Sequence, residues 1–107
     1  MTSNTKSKTL EKNTTYKHAG GKLRRLGPER CTEQELLSII INSGTKKISA
    51  TQIAKNILNE FGTVYELQGK TLIELMDIEG IGAVKATQLA AVFELCRRIV
   101  KHIEKEL

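Results

Sequence analysis

The feature that most constrains this chain is a repeated signal for the start of a helix. In a capping box, a Thr or Ser hydroxyl accepts from the third helical amide, and a Glu or Gln side chain three residues on bonds back to the first residue. This spacing occurs four times: at Thr32 and Glu35, Ser49 and Gln52, Thr63 and Glu66, and Thr71 and Glu74. The four starts predict helices near residues 33–42, 50–61, 64–68 and 72–76. Apolar spacing predicts a last helix from about 83 to 105, and since no stretch alternates like a strand, the predicted fold class is all-α.

The chain also contains two similar halves. Residues 71–78 repeat the layout of residues 32–39, and Ala-Thr-Gln-Leu-Ala at 86–90 repeats Ala-Thr-Gln-Ile-Ala at 50–54. Each half is typical of a helix, a hairpin turn and a second helix, so the predicted architecture is a small pseudo-two-fold domain, a tandem helix-hairpin-helix. The two hairpins are predicted near residues 32–61 and 71–100.

Glycines and apolar stripes extend this prediction to helix ends and the core. Gly44 and Gly62 stand where a left-handed residue ends a helix. Tyr65 is expected in or near the core together with Phe61 and Phe93. Two helical stripes are expected to supply most of the core: Ile53, Ile57, Leu58 and Phe61, and then Leu89, Val92, Phe93, Cys96, Ile99, Val100 and Ile103. The second stripe is longer than a compact module needs, which suggests a stem leading into a further region; the alternative is fraying at a natural terminus.

Positive charge is concentrated in the N-terminal part of the chain. The formal net charge is +5, yet residues 1–25 hold seven Lys or Arg and one Glu, whereas residues 26–107 hold ten Lys or Arg and eleven Asp or Glu. Because the first residues are polar with few apolar side chains, residues 1–21 are predicted to be a disordered basic tail and residues 22–107 the folded domain. The tail is either simply solvated or contacts phosphates once the domain has docked.

Composition also restricts compartment and class. The longest apolar run, residues 36–41, is interrupted by Ser38 and is far too short to cross a membrane, and the N-terminus lacks the apolar centre of a signal peptide. Cys31 and Cys96 have no partner at metal or redox spacing, which favours free thiols in a reducing compartment. A cytoplasmic protein with no membrane partner is therefore expected.

The second predicted hairpin has the chemistry of a phosphate site. Gly80 permits a backbone angle that an L-residue reaches only with strain, and Gly82 has no Cβ to stand between its amide and a phosphate oxygen. Ile81 between them can bury its side chain and anchor the turn. The first helical amides, including that of Val84, add donors and the positive end of the helix dipole, and Lys85 adds a full charge. Such contacts bind phosphate and not base identity.

The first predicted hairpin is a weaker candidate for a second strand. It offers Gly44, the hydroxyl of Thr45, and the cations Lys46 and Lys47. A solvated loop in a structural repeat is the alternative here. At the second hairpin the alternative is an ordinary tight turn, and the charge of Glu79 would repel a phosphate.

Several of these motifs, in their order and spacing, resemble the N-terminal module of the RadC family over about residues 22–100. They are Leu26-Gly27-Pro28-Glu29, the segment from Thr32 to Leu37, Asn42-Ser43-Gly44-Thr45, Phe61-Gly62, and the segment from Ile78 to Ala86. Members of that family carry the name DNA repair protein. The resemblance implies a tandem helix-hairpin-helix domain ahead of a JAMM-type metalloprotease-like domain that this sequence lacks.

No catalytic or cofactor site is predicted in this chain. A JAMM zinc site needs a Glu, a His-x-His pair and an Asp, but the only histidines are His18 and His102. There is also no Gly-x-Ser-x-Gly elbow and no Walker loop. The chain is therefore expected not to be an enzyme and to need no metal or cofactor.

Two functional hypotheses remain from the sequence. The first is a DNA-binding module that contacts the backbone of duplex or branched DNA without sequence specificity. The second is a protein-interaction module that positions substrates for, or regulates, the family's C-terminal domain. The glycine hairpin and the Arg97, Arg98 and Lys101 cluster favour DNA, whereas the nearly neutral folded charge and Glu79 favour a protein partner. Scarce aromatic residues argue against recognition of single strands by base stacking.

Overall fold

The computed structural model describes residues 18–107, and within them every regular element is a helix. Within this range five α-helices follow one another: α1 (Ala19–Leu26), α2 (Glu33–Ile41), α3 (Ala50–Phe61), α4 (Leu72–Met76) and α5 (Ala83–Glu106). Short 3₁₀ turns lie at Pro28–Arg30 and Val64–Leu67. The all-α prediction is thus confirmed for the described part of the chain, in which no helix is long and apolar enough to cross a membrane.

These residues divide into two compact units between Cys31 and Thr32. In the first unit, Gly27 ends α1 with a positive φ of 91° and donates its amide to the Leu23 carbonyl. The predicted disordered tail, residues 1–21, falls mostly outside the described residues. Its last three residues are already helical, because α1 begins at Ala19.

The predicted helix starts of the second unit mostly occur as capping boxes. Thr32 at α2 and Thr71 at α4 each accept from the amide three residues on, and the Glu at that position bonds back to the Thr amide. At α3, Ser49 accepts from the Gln52 amide. The Gln52 side chain instead donates to Asn56 at 2.9 Å, so this start has only half of the box.

The predicted capping box at Thr63 is wrong. The Thr63 side chain makes no capping bond, and the segment that follows is a four-residue 3₁₀ turn. In this turn the Glu66 amide donates to the Thr63 backbone carbonyl at 3.2 Å. The tighter turn therefore uses the amide that the hydroxyl would have taken.

The core of the second unit lies between two helix pairs. α2 packs on α3, α4 packs on α5, and α2 also contacts α5. The side chains in the core are almost fully buried: Leu37, Ile41, Ile53, Ala54, Ile57, Leu67, Leu75, Ile78, Ile81, Ala86 and Leu89. Phe61 and Phe93 pack against this cluster from its edge.

Three details of the predicted core and helix ends are wrong. Tyr65 is 78% exposed because it lies on the outer side of its 3₁₀ turn. The stripe on α5 leaves the core after Phe93, and Ile99 and Ile103 are each more than half exposed because no described element packs on them. At the end of α2 the residue with a positive φ is Asn42, with φ 72° and ψ −62°, and not Gly44. The Ser43 amide donates to the Ile41 carbonyl at 2.9 Å, so Asn42 is the central residue of a γ-turn.

Candidate nucleic-acid interface

The turn between α4 and α5 is fixed to the core by two isoleucines. Ile78 and Ile81 are both buried, and the Ile81 amide donates to the Ile78 carbonyl at 3.1 Å. Ile81 therefore anchors the turn as the sequence predicted. Its own amide is used inside the turn and is not available to a ligand.

Gly80 meets two independent requirements in this turn. Its φ of 96° lies in the region that L side chains rarely adopt. A Cβ at this position would also lie 2.6 Å from Cγ1 of Ile53 and 3.8 Å from Cδ1 of Ile48. The backbone of the turn consequently lies directly against the start of α3, an approach that only glycine permits.

Gly82 begins α5 without a capping side chain. Its φ of −96° and ψ of −170° place it in the same extended region as the Thr and Ser residues that cap α2, α3 and α4. Those residues satisfy a first-turn amide with a hydroxyl, whereas Gly82 cannot. A Cβ at position 82 would meet nothing within 4 Å, so the surface in front of it is open.

The first amides of α5 are left as unused donors. The first hydrogen bond at this end joins the Ala86 amide to the Gly82 carbonyl at 3.0 Å. Among the described residues, no hydrogen-bond acceptor faces the amides of Gly82, Ala83, Val84 and Lys85. Four adjacent donors at the positive end of a 24-residue helix form a surface suited to an anion.

Lys85 lies between this turn and the end of α2. Its side chain is half-buried, and Nζ donates to the carbonyl oxygen of Ile41 at 3.3 Å. The ammonium group thus complements the negative end of α2. It has three N–H bonds, so two remain after this hydrogen bond.

The loop between α2 and α3, residues 42–49, is organised by its own hydroxyl. Thr45 Oγ1 accepts from the amides of Lys47 and Ile48 at 3.2 and 3.0 Å, and the Thr45 amide donates to the Ile48 carbonyl at 2.8 Å. A Cβ on Gly44 would clash with the Ile48 carbonyl oxygen and the Ser49 backbone. Gly44 is therefore required for close backbone packing, and Thr45 holds the loop together.

The cations of this loop remain exposed. Lys46 and Lys47 both point to solvent. The amides that begin α3, by contrast, are partly closed by Ser49. Of the α2–α3 and α4–α5 connections, only the α4–α5 connection leaves the first helical amides without a capping side chain.

The two connections are neighbours in space. Ile41 and Ile48 border the connection between α2 and α3. The Ile41 carbonyl accepts from Lys85, and Cδ1 of Ile48 lies 3.8 Å from the Cβ position of Gly80, so both contact the connection between α4 and α5. The approach of Gly80 to Ile48 and Ile53 could not be predicted from the sequence, because no local pattern links positions about 30 residues apart. Within this unit, the open amides of α5 and the lysines of the loop therefore belong to adjoining connections.

Other charged groups reduce the basic character of the molecule. Arg97 and Arg98 both bind the Glu94 carboxylate, at 2.8 and 2.9 Å. The hydrogen bonds from these arginines lower the pKa of Glu94 to about 2. Glu79 in the turn is exposed. Residues 18–107 contain no group of three His, Cys, Asp or Glu side chains close enough to hold a metal ion.

Comparison with known proteins places this chain in one family. A model described as UPF0758 N-terminal matches residues 20–87, more than half of the chain. A UPF0758 protein of Streptococcus gordonii is 49% identical over 80 residues, covering 75% of this chain and 35% of the relative. A UPF0758 protein of Geobacillus kaustophilus is 41% identical over 73 residues, covering 68% of the chain and 32% of the relative.

A third relative is less similar in sequence. A UPF0758 protein of Methanosarcina barkeri is 36% identical over 84 residues, covering 78% of this chain and 36% of the relative. The chain thus spans about a third of the length of the curated relatives that it matches. No solved structure matches it. From the extent of the family match and these identities, the chain belongs to the UPF0758 N-terminal family.

Proposed function

We propose that this chain is a DNA-binding module that contacts backbone phosphates through the amides at the start of α5. The observation that carries the proposal is the uncapped start at Gly82. The three other α-helices of the second unit each begin with a hydroxyl bonded to the third helical amide, while α5 begins with a glycine in the same backbone conformation. A phosphate oxygen can take the place of the missing hydroxyl, because amides at a helix start favour anions.

The neighbouring lysines support a second contact with the same DNA. Lys46 and Lys47 are exposed on a loop that adjoins the turn of Gly80. The α4–α5 connection offers backbone amides and the α2–α3 loop offers ammonium groups, so the surface has donors for two segments of the DNA backbone. All these groups bind phosphate, so binding without sequence specificity is expected, with dissociation constants on the order of 10⁻⁴ to 10⁻⁶ M at physiological salt.

We interpret the two helix pairs as a tandem helix-hairpin-helix domain. α2 with α3, and α4 with α5, each consist of two packed helices joined by a short connection, as the internal repeat predicts. The resemblance to the RadC family, whose members carry the name DNA repair protein, supports this interpretation. Duplex or branched DNA is the partner that it favours.

The test is fluorescence anisotropy of labelled duplex and four-way-junction DNA across a salt series, with the whole chain and with residues 18–107. Binding by residues 18–107 that weakens as salt rises is the expected result. The whole chain should bind more tightly and with a steeper salt dependence, because residues 1–17 add four lysines and one Glu. Binding that needs residues 1–17 altogether would contradict the proposal.

The variant Gly82→Val tests the contact itself. Nothing lies within 4 Å of a Cβ at this position, so the fold should persist while the branched side chain covers the amides. Affinity should fall about tenfold, equivalent to about 1.4 kcal/mol. Asn59→Val, which adds the same side chain at an exposed position of α3, is the matched control and should bind normally. A folded Gly82→Val protein with unchanged affinity would refute the contact.

A protein-interaction or positioning module is the second candidate function. Residues 26–107 carry one more acidic than basic side chain, so they lack the excess positive charge of many DNA-binding domains. Exposed apolar residues on the second half of α5 favour a protein partner specifically. Failure of residues 18–107 to bind any of the DNA probes would favour this second function.

A further inference from the structure

The second half of α5 has an apolar surface that the domain does not use. In the first turns, Ala86 and Leu89 are buried and Phe93 packs on the edge of the core. Beyond Phe93 the helix continues to Glu106, a further 13 residues or about 20 Å. We call the apolar residues of this segment the distal face: Leu95, Cys96, Ile99, Val100 and Ile103.

The distal face is exposed over its whole length. Leu95 is 60%, Ile99 59%, Val100 53% and Ile103 51% exposed. Leu95, Ile99 and Ile103 are four residues apart, and Cys96 and Val100 lie directly beside the first two, so the five residues form one continuous strip along the helix. A strip of this kind on a helix that is otherwise strongly charged is unfavourable in water and is typical of a surface that another element covers.

A groove runs beside this strip. Val64 and Tyr65 of the 3₁₀ turn form one wall, and Phe93, Cys96 and Val100 of α5 form the other, around a volume of about 400 Å³. Tyr65 was predicted to lie in or near the core but is exposed. An interface at this groove would explain the exposure of its ring. Tyr is also enriched at protein interfaces because its ring is apolar and its hydroxyl can remain hydrated.

Charged side chains border the groove. Arg97, Lys101 and Glu104 line its edge along α5. The guanidinium of Arg97 is already paired with Glu94 at 2.8 Å, whereas Lys101 and Glu104 are exposed and make no ion pair within residues 18–107. An apolar centre with charges of both signs at its rim is the arrangement of a protein–protein contact.

We propose that the distal face of α5 is the docking surface for the region that follows this segment in the longer UPF0758 proteins. The matching family model is described as N-terminal, and the segment covers only about a third of each relative compared above, so those proteins contain a large region beyond it. The partner surface is apolar at its centre, with a carboxylate opposite Lys101 and a cation opposite Glu104. This proposal does not depend on DNA binding, because the distal face contains none of the amides at the start of α5.

Cys96 provides a built-in reporter for the test. Its thiol is free and exposed and lies within the distal face. The 107-residue chain is compared with a fusion in which the following region of the Streptococcus gordonii UPF0758 protein is joined after Leu107. Alkylation of Cys96 by iodoacetamide is timed by mass spectrometry of its peptide, over a range of protein concentrations.

The expected result is rapid alkylation of the chain alone at every concentration and at least about tenfold slower alkylation in the fusion. The double variant Ile99→Asp and Ile103→Asp should restore rapid alkylation in the fusion, because charges replace two of the five apolar residues of the distal face. Ile73→Asp, at an 81% exposed position on α4, is the matched control and should leave the fusion protected. Far-UV circular dichroism shows whether each variant remains helical.

Two results would overturn the proposal. Equal alkylation rates in the chain and the fusion would show that the following region does not cover the distal face. Protection that appears in the chain alone and rises with concentration would show that a second copy covers it instead. Neither result bears on the affinity for DNA, which is measured separately with the chain alone.

Discussion

At the scale of single residues, the glycines of this domain differ in whether the fold requires them. Gly62 has φ 91° and open space around it, so only its backbone angle requires glycine. Gly80 has a similar angle and also lies against Ile53. Gly82 has neither constraint, since its backbone is extended and its surroundings are open. The absence of a side chain at position 82 therefore has no structural explanation and agrees with a functional one.

A first prediction compares two of these glycines. Gly80→Ala should destabilise the domain by about 2–4 kcal/mol, because the left-handed angle costs about 1 kcal/mol and the new methyl group overlaps Ile53. Gly62→Ala is the control and should cost only about 1 kcal/mol, because its φ is nearly the same and no atom lies within 4 Å. Urea unfolding measures both. Equal destabilisation by the two substitutions would show that the packing of the turn on α3 is unimportant.

Some single-residue features of this turn could be predicted from the sequence and others could not. The positive φ of Gly80 and the burial of Ile81 could be predicted, because glycine and isoleucine have strong local preferences. The close approach of Gly80 to Ile53 and the hydrogen bond of Lys85 to Ile41 could not, because they join distant parts of the chain. One usable sequence signal was missed. Thr or Ser precedes α2, α3 and α4 in the second unit, whereas Gly82 precedes α5.

At the scale of elements, the helix starts were predicted better than the helix ends. Capping boxes are local, and those at Thr32 and Thr71 were confirmed. The box at Thr63 was wrong because the segment forms a 3₁₀ turn, in which the Glu66 amide bonds to the Thr63 carbonyl and not to its hydroxyl. The apolar stripe of α5 forms one face of the helix as predicted, but the residues of its second half were wrongly predicted to be in the core. A sequence pattern shows that a face is apolar and does not show which partner covers it.

A second prediction concerns the ion pairs on α5. Hydrogen bonds from Arg97 and Arg98 lower the pKa of Glu94 from 4.5 to about 2, so the charged form stabilises the folded state above pH 4.5 and this contribution is lost as the pH falls towards 2. Glu94→Gln should therefore lower Tm slightly at pH 6 and make Tm less sensitive to acid between pH 4.5 and 2. The effect is small because the group is exposed.

Thermal melts at a series of pH values test this prediction. Glu104→Gln, farther along the same helix and outside the ion pairs with Arg97 and Arg98, is the control. If the Tm values of wild type and Glu94→Gln fall in parallel below pH 4.5, the ion pairs do not stabilise α5.

A third prediction concerns the loop between α2 and α3. Lys46→Gln with Lys47→Gln removes two exposed cations without touching the Thr45 hydrogen bonds that shape the loop. Affinity for DNA should fall on all sequences alike. The slope of log K against log salt should become shallower by about 0.9 for each phosphate that is no longer neutralised. Lys55→Gln, an exposed change in the middle of α3, is the control. An unchanged salt slope would remove this loop from the interface.

At the scale of the whole molecule, the formal net charge alone is a poor guide to function. All of the excess positive charge belongs to residues 1–25, while residues 26–107 hold one more acidic than basic side chain. If the domain binds DNA as proposed, the contact depends on a few well-placed donors and not on the electrostatic field of the whole domain. The uncapped start of α5 and the exposed strip near its other end suggest that opposite ends of this helix have separate roles, one towards DNA and one towards protein.

The central claim is that the amides at the start of α5 bind phosphate, and it is tested most directly by giving position 82 the cap that it lacks. Gly82→Asn and Gly82→Asp place an oxygen on the first-turn amides, as Ser49 does at α3. Both variants should therefore be as stable as wild type or a few tenths of a kcal/mol more stable. Affinity for duplex DNA should nevertheless fall, about fivefold or more for Asn and further for Asp, whose charge repels phosphate.

Equilibrium anisotropy together with urea unfolding of the three proteins is the measurement. Stability that is kept while affinity falls in both variants is the predicted result. A lower affinity with Asp alone would indicate general charge repulsion, and unchanged affinity with Asn would contradict the account, because the amides would then be capped and DNA binding would persist.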